Sequence, residues 1–345
     1  MALANEPEML LLDEPTAGIN PALIDGMVDR LKAARAEYGL TLLVIEHNMP
    51  VIMDLAEHIY CLAHGRLLAE GAPSTIQDDP RARRLSRSGM MDGVPVEELE
   101  RLADEAPFVA VDGLDAGYGR MRIVHDFALR LPRGRALCLV GPNGAGKSTV
   151  LNAIYGFAKI FAGTIAVAGR DVAALPASEK LRNVRLAYVL QGDSVFPDMT
   201  VEENLLMGGY LLEHRSQARA VAEAVLDRYP ALQARRSEKA RVLSGGERRL
   251  LEISRALIME PDVLLVDEPS IGLEPRAIDM VFETLRDLRD ARGKTLILVE
   301  QNARKGLDFA DIGYVLVAGK LAKAGEGRAL LDDPEMGRLF LGGQR

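Results

Sequence analysis

The chain has 345 residues, enough for two domains or for one large domain with an appendage, and its 48% hydrophobic and 27% charged residues are the balance of an ordinary globular protein. A net charge of −8 implies no basic face and argues against a nucleic-acid binder. No apolar run approaches the length needed to cross a bilayer, and the first fifteen residues carry Glu6, Glu8, Asp13 and Glu14 where a secretory signal would have a basic end and an apolar centre.

The first organised stretch is the apolar run Met9 to Leu12, closed by Asp13-Glu14-Pro15. A helical pattern from about Pro21 to Glu37 and a second apolar run, Thr41 to Ile45, ending in Glu46-His47-Asn48, follow it. The same order returns as Val263 to Val266, Asp267-Glu268-Pro269, a helix after Pro275, Thr295 to Val299 and Glu300-Gln301-Asn302. The separations 267 − 13, 275 − 21 and 301 − 47 all equal 254, and Gly65 with Gly319 and Asp79-Pro80 with Asp333-Pro334 keep that offset without a gap. Such a repeat predicts two copies of one domain, the first beginning just before its carboxylate strand. Without the strands that should precede it, the first copy is expected to expose apolar edges. Cys61 and Cys138 both sit in apolar, strand-like runs, which predicts buried reduced thiols and a cytosolic setting.

Residues 81–107 separate the copies, with Arg81, Arg83, Arg84 and Arg87 giving way to Glu97, Glu98, Glu100, Asp104 and Glu105. This reads as a linker, with Pro95, Val96, Leu99 and Leu102 supporting one short helix as a solvated spacer. The complete copy spans 108–345 and opens with strand-like segments on either side of Tyr118, a ring able to stack on a base. Next comes the buried-strand run Ala136 to Val140, then Gly141-Pro142-Asn143-Gly144-Ala145-Gly146-Lys147-Ser148-Thr149, then Val150, Leu151, Ile154 and Tyr155 at helical spacing. Glycine, four residues, then glycine, lysine and a hydroxyl residue between strand and helix is a phosphate cradle: backbone N–H groups converge on the anion and the helix N-terminus adds positive potential. Lys147 then neutralises outer phosphate oxygens, and the Ser148 hydroxyl is placed for Mg²⁺.

Gln191 leaves the apolar run Val184 to Leu190. Further on, Leu243-Ser244-Gly245-Gly246-Glu247 precedes an amphipathic helix; Ser244 and Glu247 fit a capping box, while the two glycines would leave backbone N–H groups open to an anion. Asp267 and Glu268 end the next buried strand, where the first suits Mg²⁺ and the second suits orienting or deprotonating a water.

In order and spacing, Gly141 to Thr149, Gln191, Leu243 to Glu247, Asp267-Glu268 and Gln301 resemble the ABC-type ATPase domain, fully over 108–345 and partially over 1–80. The run Met199 to Tyr210 and the sequence Val299-Glu300-Gln301-Asn302 resemble more narrowly the paired ATP-binding subunits of branched-chain amino-acid importers, and Glu46-His47-Asn48 resembles the other member of that pair. The resemblance implies an α/β fold of the phosphate-loop NTPase type: a mixed sheet core with an antiparallel β subdomain and a helical signature subdomain, preceded by a partial copy. It implies ATP and Mg²⁺ as cofactors. Tyr118 would stack on adenine, and the loop Gly141, Asn143, Gly144, Ala145, Gly146, Lys147, Ser148 and Thr149 would hold the phosphates. Ser148, Gln191 and Asp267 would serve Mg²⁺, with Glu268 as base and Gln301 at the γ-phosphate. Ser244, Gly245, Gly246 and Glu247 would contact ATP held by a second ABC ATPase domain, in a homodimer or heterodimer.

As partners the resemblance implies integral-membrane permease subunits and, indirectly, a solute-binding protein, with the chain peripheral on the cytoplasmic face of the membrane. The solute would be a branched-chain amino acid or a related amide or urea-like compound. A soluble tandem ABC protein acting on ribosomes or DNA is a second class, against which stand the missing first phosphate loop, the acidic charge and the short linker. A non-enzymatic interaction fragment is a third. Two positions depart from the family pattern. Gln301 stands where a histidine is usual, so the site is expected to be slower or more partner-dependent, and Glu274 stands where an aspartate is usual. The first copy, lacking a loop and signature, is expected to be catalytically silent.

Overall fold

The computed structural model describes residues 7–13, 15–16, 21–46, 49–63, 66–78, 94–192, 194–333 and 336. Glu6, Glu14, His47, Asn48, Gly65, Asp79, Pro80, Arg81, Arg83, Arg84, Arg87 and Pro334 lie outside the described residues. The chain divides into two units, Met1–Met91 with Tyr118–Met121 and Asp92–Gly117 with Arg122–Arg345.

In the first unit, β1 (Met9–Asp13) leads through α1 (Pro21–Tyr38) to β2 (Thr41–Ile45), and the two strands pair in parallel. After α2 (Met49–Leu55), strands β3 (Ile59–Ala63) and β4 (Arg66–Gly71) form a separate antiparallel pair, followed by α3 (Pro73–Asp78). A small core of Ile24, Val28, Val51 and Leu55 joins the two longer helices, with Leu42 and Val44 of β2 packed against it.

The second unit begins with α4 (Val96–Ala103) and a sheet in the order β6-β5-β8-β9, formed by β5 (Val109–Tyr118), β6 (Met121–Leu131), β8 (Lys159–Val167) and β9 (Arg170–Asp171), in which β8 runs antiparallel to both its neighbours. The six-stranded mixed sheet has the order β10-β11-β12-β7-β13-β14 and comprises β7 (Ala136–Val140), β10 (Leu186–Val189), β11 (Val263–Asp267), β12 (Thr295–Val299), β13 (Ile312–Val317) and β14 (Lys320–Glu326). Only β14 runs against its neighbour. Unbroken apolar runs such as β7, β11 and β12 need cover on both faces, and every residue of the three is buried. Helices α5 (Lys147–Tyr155), α11 (Pro275–Asp290), α12 (Ala303–Phe309) and α13 (Gly327–Leu331) flank this sheet, with α6 (Ala177–Asn183) leading into β10.

A second core is helical, formed by α7 (Val201–Gly208), α8 (Arg215–Arg228), α9 (Pro230–Gln233) and α10 (Gly245–Leu257). Helix α10 gives Leu250 and Leu251 to this core and Ile253 and Leu257 to the sheet core, so one helix belongs to both. The architecture is the α/β phosphate-loop fold expected, with a mixed sheet, an antiparallel sheet and a helical portion.

Every element of the first unit recurs in the second 254 residues later, from β1 and β11 to α3 and α13. The register recurs as well: Met9 opposes Thr41 as Val263 opposes Thr295, and the irregularity after Cys61 returns after Val315. Even surface ion pairs are repeated, Lys32–Asp54 as Arg286–Asp308 and Arg35–Glu57 as Arg289–Asp311.

Two expectations need correction. The helix at 96–103 is no solvated spacer: Leu99 is 1% exposed, Ala103 is buried and Glu100 reaches Arg130 at 3.9 Å. Val96, Leu99 and Ala103 form one apolar stripe at helical spacing, which the second unit buries. Cys138 is buried as expected, and burial pushes its thiol up, but Cys61 is only half-buried because its two-stranded sheet lacks the cover that Cys138 has. Leu99→Ala is expected to lower the unfolding free energy of the second unit by about 2–4 kcal/mol in urea titration, the cost of a buried truncation, whereas a solvated spacer would show no change.

Candidate nucleotide site

The site grows from the carboxyl end of β7. Gly141 has φ 155, and a Cβ there would lie 2.2 Å from the Leu316 carbonyl oxygen, so only glycine lets the loop pass against β13. Gly146, at φ 96, precedes α5 without side-chain capping, which leaves the first N–H groups of that helix for an anion. Asn143 and Gly144 are exposed at the loop tip, while Ala145, Gly146, Lys147 and Thr149 are buried. The Lys147 Nζ curls over its own loop and donates to the carbonyls of Gly141 (2.8 Å) and Pro142 (3.0 Å). Burial lowers its pKa, with Glu268 and Asp267 acting the other way.

Across the site, β11 ends in Asp267, whose Oδ1 accepts from the Ser148 hydroxyl at 3.0 Å and whose Oδ2 accepts from the Tyr188 hydroxyl at 3.1 Å. Burial pushes the Asp267 carboxyl up to about 6. Glu268 then turns left-handed at φ 45, its N–H bonded to the Val299 carbonyl at 2.9 Å. That turn presents its carboxylate to two amides. Gln191 Nε2 donates to Oε2 at 2.7 Å, and Gln301 Nε2 donates to Oε1 and Oε2 at 3.1 and 3.0 Å.

The structure therefore brings together Ser148 with Asp267, and Gln191 and Gln301 with Glu268. Ser244 and Glu247 make the expected capping box at the start of α10, at 3.3 and 2.9 Å, and Glu247 also accepts from Arg235 at 2.7 Å. Ser244 and Gly245 are exposed. Gly246 has a packing reason for being small, since a Cβ there would meet the Ala277 Cβ of α11 at 2.8 Å. Tyr118 closes β5 and is half-buried. Glu274 sits at the N-cap of α11 without a side-chain cap bond.

Several residues escaped the sequence. Arg249 is 6% exposed; its Nη1 donates to the Leu190 carbonyl (2.8 Å) and to Glu252 Oε2 (2.7 Å), and its Nη2 donates to the Asp267 carbonyl (2.6 Å). The other Glu252 oxygen accepts from the Ser194 N–H at 3.0 Å. Buried Glu300 accepts from the N–H and hydroxyl of Ser270 at 3.0 and 2.9 Å and from the Asn302 N–H at 3.2 Å, clasping the loop after Glu268 to the loop that carries Gln301. Burial raises the Glu300 pKa. Arg249 and Glu252 are one helical turn apart on the face of α10 that also carries Ile253, but in the sequence that spacing reads as an ordinary surface ion pair and does not reveal them.

A sheet with this strand order and a phosphate loop on its central strand defines a nucleoside triphosphatase of the ATP-binding cassette type. The ABC transporter family pattern matches residues 124–271. The branched-chain amino acid transport ATP-binding protein BraG of Pseudomonas aeruginosa is 39% identical over 235 residues, 68% of this chain and 100% of that protein. LivF of Archaeoglobus fulgidus, a probable protein of the same kind, is 36% identical and covers 66% of this chain and 96% of its own length. LptB of Acidithiobacillus ferridurans, a lipopolysaccharide export ATP-binding protein, is also 36% identical, over 66% of this chain and 93% of its own. Among solved structures, a nucleotide-free ATP-binding cassette from an ABC transporter superposes with a TM-score of 0.62 at 25% identity, covering 69% of this chain and 100% of that one. The chain belongs to the ABC transporter family as an ATP-binding subunit, and its reaction is ATP hydrolysis.

Arg249→Met keeps the stem of the side chain but leaves Glu252 buried without its cation. Thermal and urea unfolding should show a loss of roughly 3–5 kcal/mol, the cost of breaking a buried pair.

Proposed function

We propose that this chain is the ATP-hydrolysing subunit of an importer for a small solute, with branched-chain amino acids as the solute class. In this reading residues 108–345 form one complete ATPase domain and residues 1–80 the C-terminal part of another. The observation that carries the hydrolytic half is the Glu268 carboxylate, held by two amides at the end of β11 beside the Ser148–Asp267 pair.

In the reaction, Lys147 releases the carbonyls of Gly141 and Pro142 and takes phosphate oxygens instead, while the loop from Gly141 to Thr149 cradles them. The Ser148 hydroxyl and the buried Asp267 carboxylate form a donor pair that suits a hard cation, because Asp267 has hydroxyl neighbours but no cation bonded to its carboxylate oxygens among the described residues. Gln191 would complete that shell. When bound, Mg²⁺ supplies neutralising charge at the phosphates. Glu268 orients and deprotonates the attacking water, and Gln301 turns its amide from Glu268 to the γ-phosphate. Tyr118 stacks on adenine. Ser244 to Glu247, exposed at the head of α10, meet ATP held by a second ABC ATPase domain.

A groove lined by Tyr155, Tyr188, Leu190, Phe196, Met207 and Tyr210 gives the permease a seat. Arg255 on its wall stacks over the Phe196 ring at 5.4 Å and has a buried Nη1 without a hydrogen-bond partner. No described helix is long and apolar enough to cross a membrane. In this reading the chain acts at the cytoplasmic face through that seat. BraG and LivF support the solute class, and a related amide or urea-like solute is the alternative.

Lys147→Ala and Glu268→Gln are each expected to lower ATP turnover by about 10²–10⁴-fold, with ATP binding retained in the second, and chelation of Mg²⁺ should abolish turnover in the unaltered protein. Unchanged turnover in both variants would sink the enzymatic assignment of these residues. Labelled leucine uptake by host cells carrying Glu268→Gln tests the solute, since intact uptake rules out branched-chain amino acids. Phe196→Asp should remove permease stimulation while basal turnover stays, measured in proteoliposomes against detergent-free protein.

A further inference from the structure

In the second unit β7 lies between β12 and β13, pairing with Leu296–Val299 on one side and with Ile312–Val315 on the other. The first unit holds the twins of both neighbours, β2 and β3, in two separate two-stranded sheets. Its outward apolar side chains are the twins of side chains that the second unit buries completely. Leu11, Ile45, Tyr60 and Leu62 are 66%, 62%, 57% and 67% exposed, while Leu265, Val299, Tyr314 and Leu316 are each 0% exposed. Leu43 and Leu67 follow the same rule against Ile297 and Leu321.

What the buried twins touch specifies what is missing. Val299 and Tyr314 both oppose Leu139 of β7, whereas among the described residues no strand pairs with β2 or β3 on the side of their twins Ile45 and Tyr60. The Tyr314 hydroxyl accepts from the Arg130 N–H at 3.2 Å, and its ring meets Phe127 edge-on at 6.3 Å, both on β6. The carbonyl of Leu316 is the group that Gly141 passes. The first unit is otherwise prepared: Thr16 donates to Glu46 through its N–H (2.9 Å) and its hydroxyl, repeating the Ser270–Glu300 clasp.

We propose that the open face between β2 and β3 is the docking site for the phosphate-loop half of an ATP-binding cassette, a polypeptide segment outside these 345 residues and built like residues 108–262. Such a segment supplies an apolar parallel strand, a glycine at its end to pass the Leu62 carbonyl, and a strand equivalent to β6 whose N–H meets the Tyr60 hydroxyl. Docking places a phosphate loop beside Asp13, so the first unit becomes half of a second nucleotide site. This docking rests on the reading of residues 1–80 as the C-terminal part of an ATPase domain and holds whichever solute is transported.

The test co-expresses the tagged 345-residue chain with an untagged fragment of residues 108–262, which carries β5 to β10, the phosphate loop and α10 but no β11. The fragment should co-purify, and Leu43→Glu with Leu62→Glu in the tagged chain should cut its retention by about tenfold or more, because each places a charge in the contact. A soluble fragment that is not retained overturns the proposal, as does retention insensitive to these substitutions, which would place the fragment in the second unit. A dimer of the chain alone that Leu62→Glu dissolves also overturns it, since a second copy would then be the occupant. Hydrogen exchange of the full chain decides the matter if the fragment is insoluble: amides of β2 and β3 should exchange at least about tenfold faster than those of β12 and β13, and equal protection overturns the proposal.

Discussion

Parallel strands end in carbonyl groups that the ladder does not satisfy, and two such groups here, those of Leu190 and Asp267, are met by a single buried guanidinium, that of Arg249. Burying that cation requires Glu252 beside it, and the second oxygen of Glu252 fixes the N–H of Ser194. One ion pair thus holds three things in register: the strand end bearing Asp267 and Glu268, the loop that follows Gln191, and the helix whose head carries Ser244 to Glu247. An apolar pair of the same volume would fill the space, but it would leave both carbonyls and the Ser194 N–H without partners. Glu300 performs the same service one strand further on, tying the loop after Glu268 to the loop that carries Gln301.

The two units separate what a sequence dictates locally from what it receives from its surroundings. At a spacing of 254 residues the same pattern gives the same strands, the same register, the same irregularity and the same ion pairs, so these follow from periodicity and turn chemistry within the segment. Burial does not follow. Tyr60 and Tyr314 occupy equivalent positions in equivalent strands, and the sealed ring is the one that meets β6 and lies on a strand paired with β7. Strands that read as continuous apolar runs therefore declare a need for cover that the segment cannot meet alone.

The same distinction explains what was legible before the fold was known. The phosphate loop could be read because its chemistry is local: glycines at fixed spacing between a buried strand and a helix dictate a backbone path whatever lies elsewhere. The carboxylate pair and the capping box of Ser244 and Glu247 are local for the same reason. Arg249, Glu252, Tyr188 and Glu300 were not legible, because their partners lie on other strands and loops and a charged residue within a helix reads as solvated until its neighbours are placed. The helix at 96–103 misled in the opposite direction, since its stripe of Val96, Leu99 and Ala103 is too short to announce which surface will bury it. Gly246 shows one residue with a local and a distant reason for its size, the second visible only once α11 packs against α10.

Glu268 gathers these constraints at one carboxylate. Its backbone is left-handed where the chain leaves β11, and its oxygens accept from Gln191, on the loop after β10, and from Gln301, on the loop after β12. Both donors are neutral amides, so each bond depends on position and not on protonation, and a shift of either loop by an ångström removes it. The first of these loops continues through Ser194 to Phe196 on the apolar groove, and Tyr188 runs from that groove to Asp267. A histidine at 301 would add a charge able to hold the carboxylate from a distance; an amide cannot. The geometry of Glu268 consequently registers the arrangement of both loops together, and the Tyr188 side chain links the surface groove to the strand end that carries Asp267.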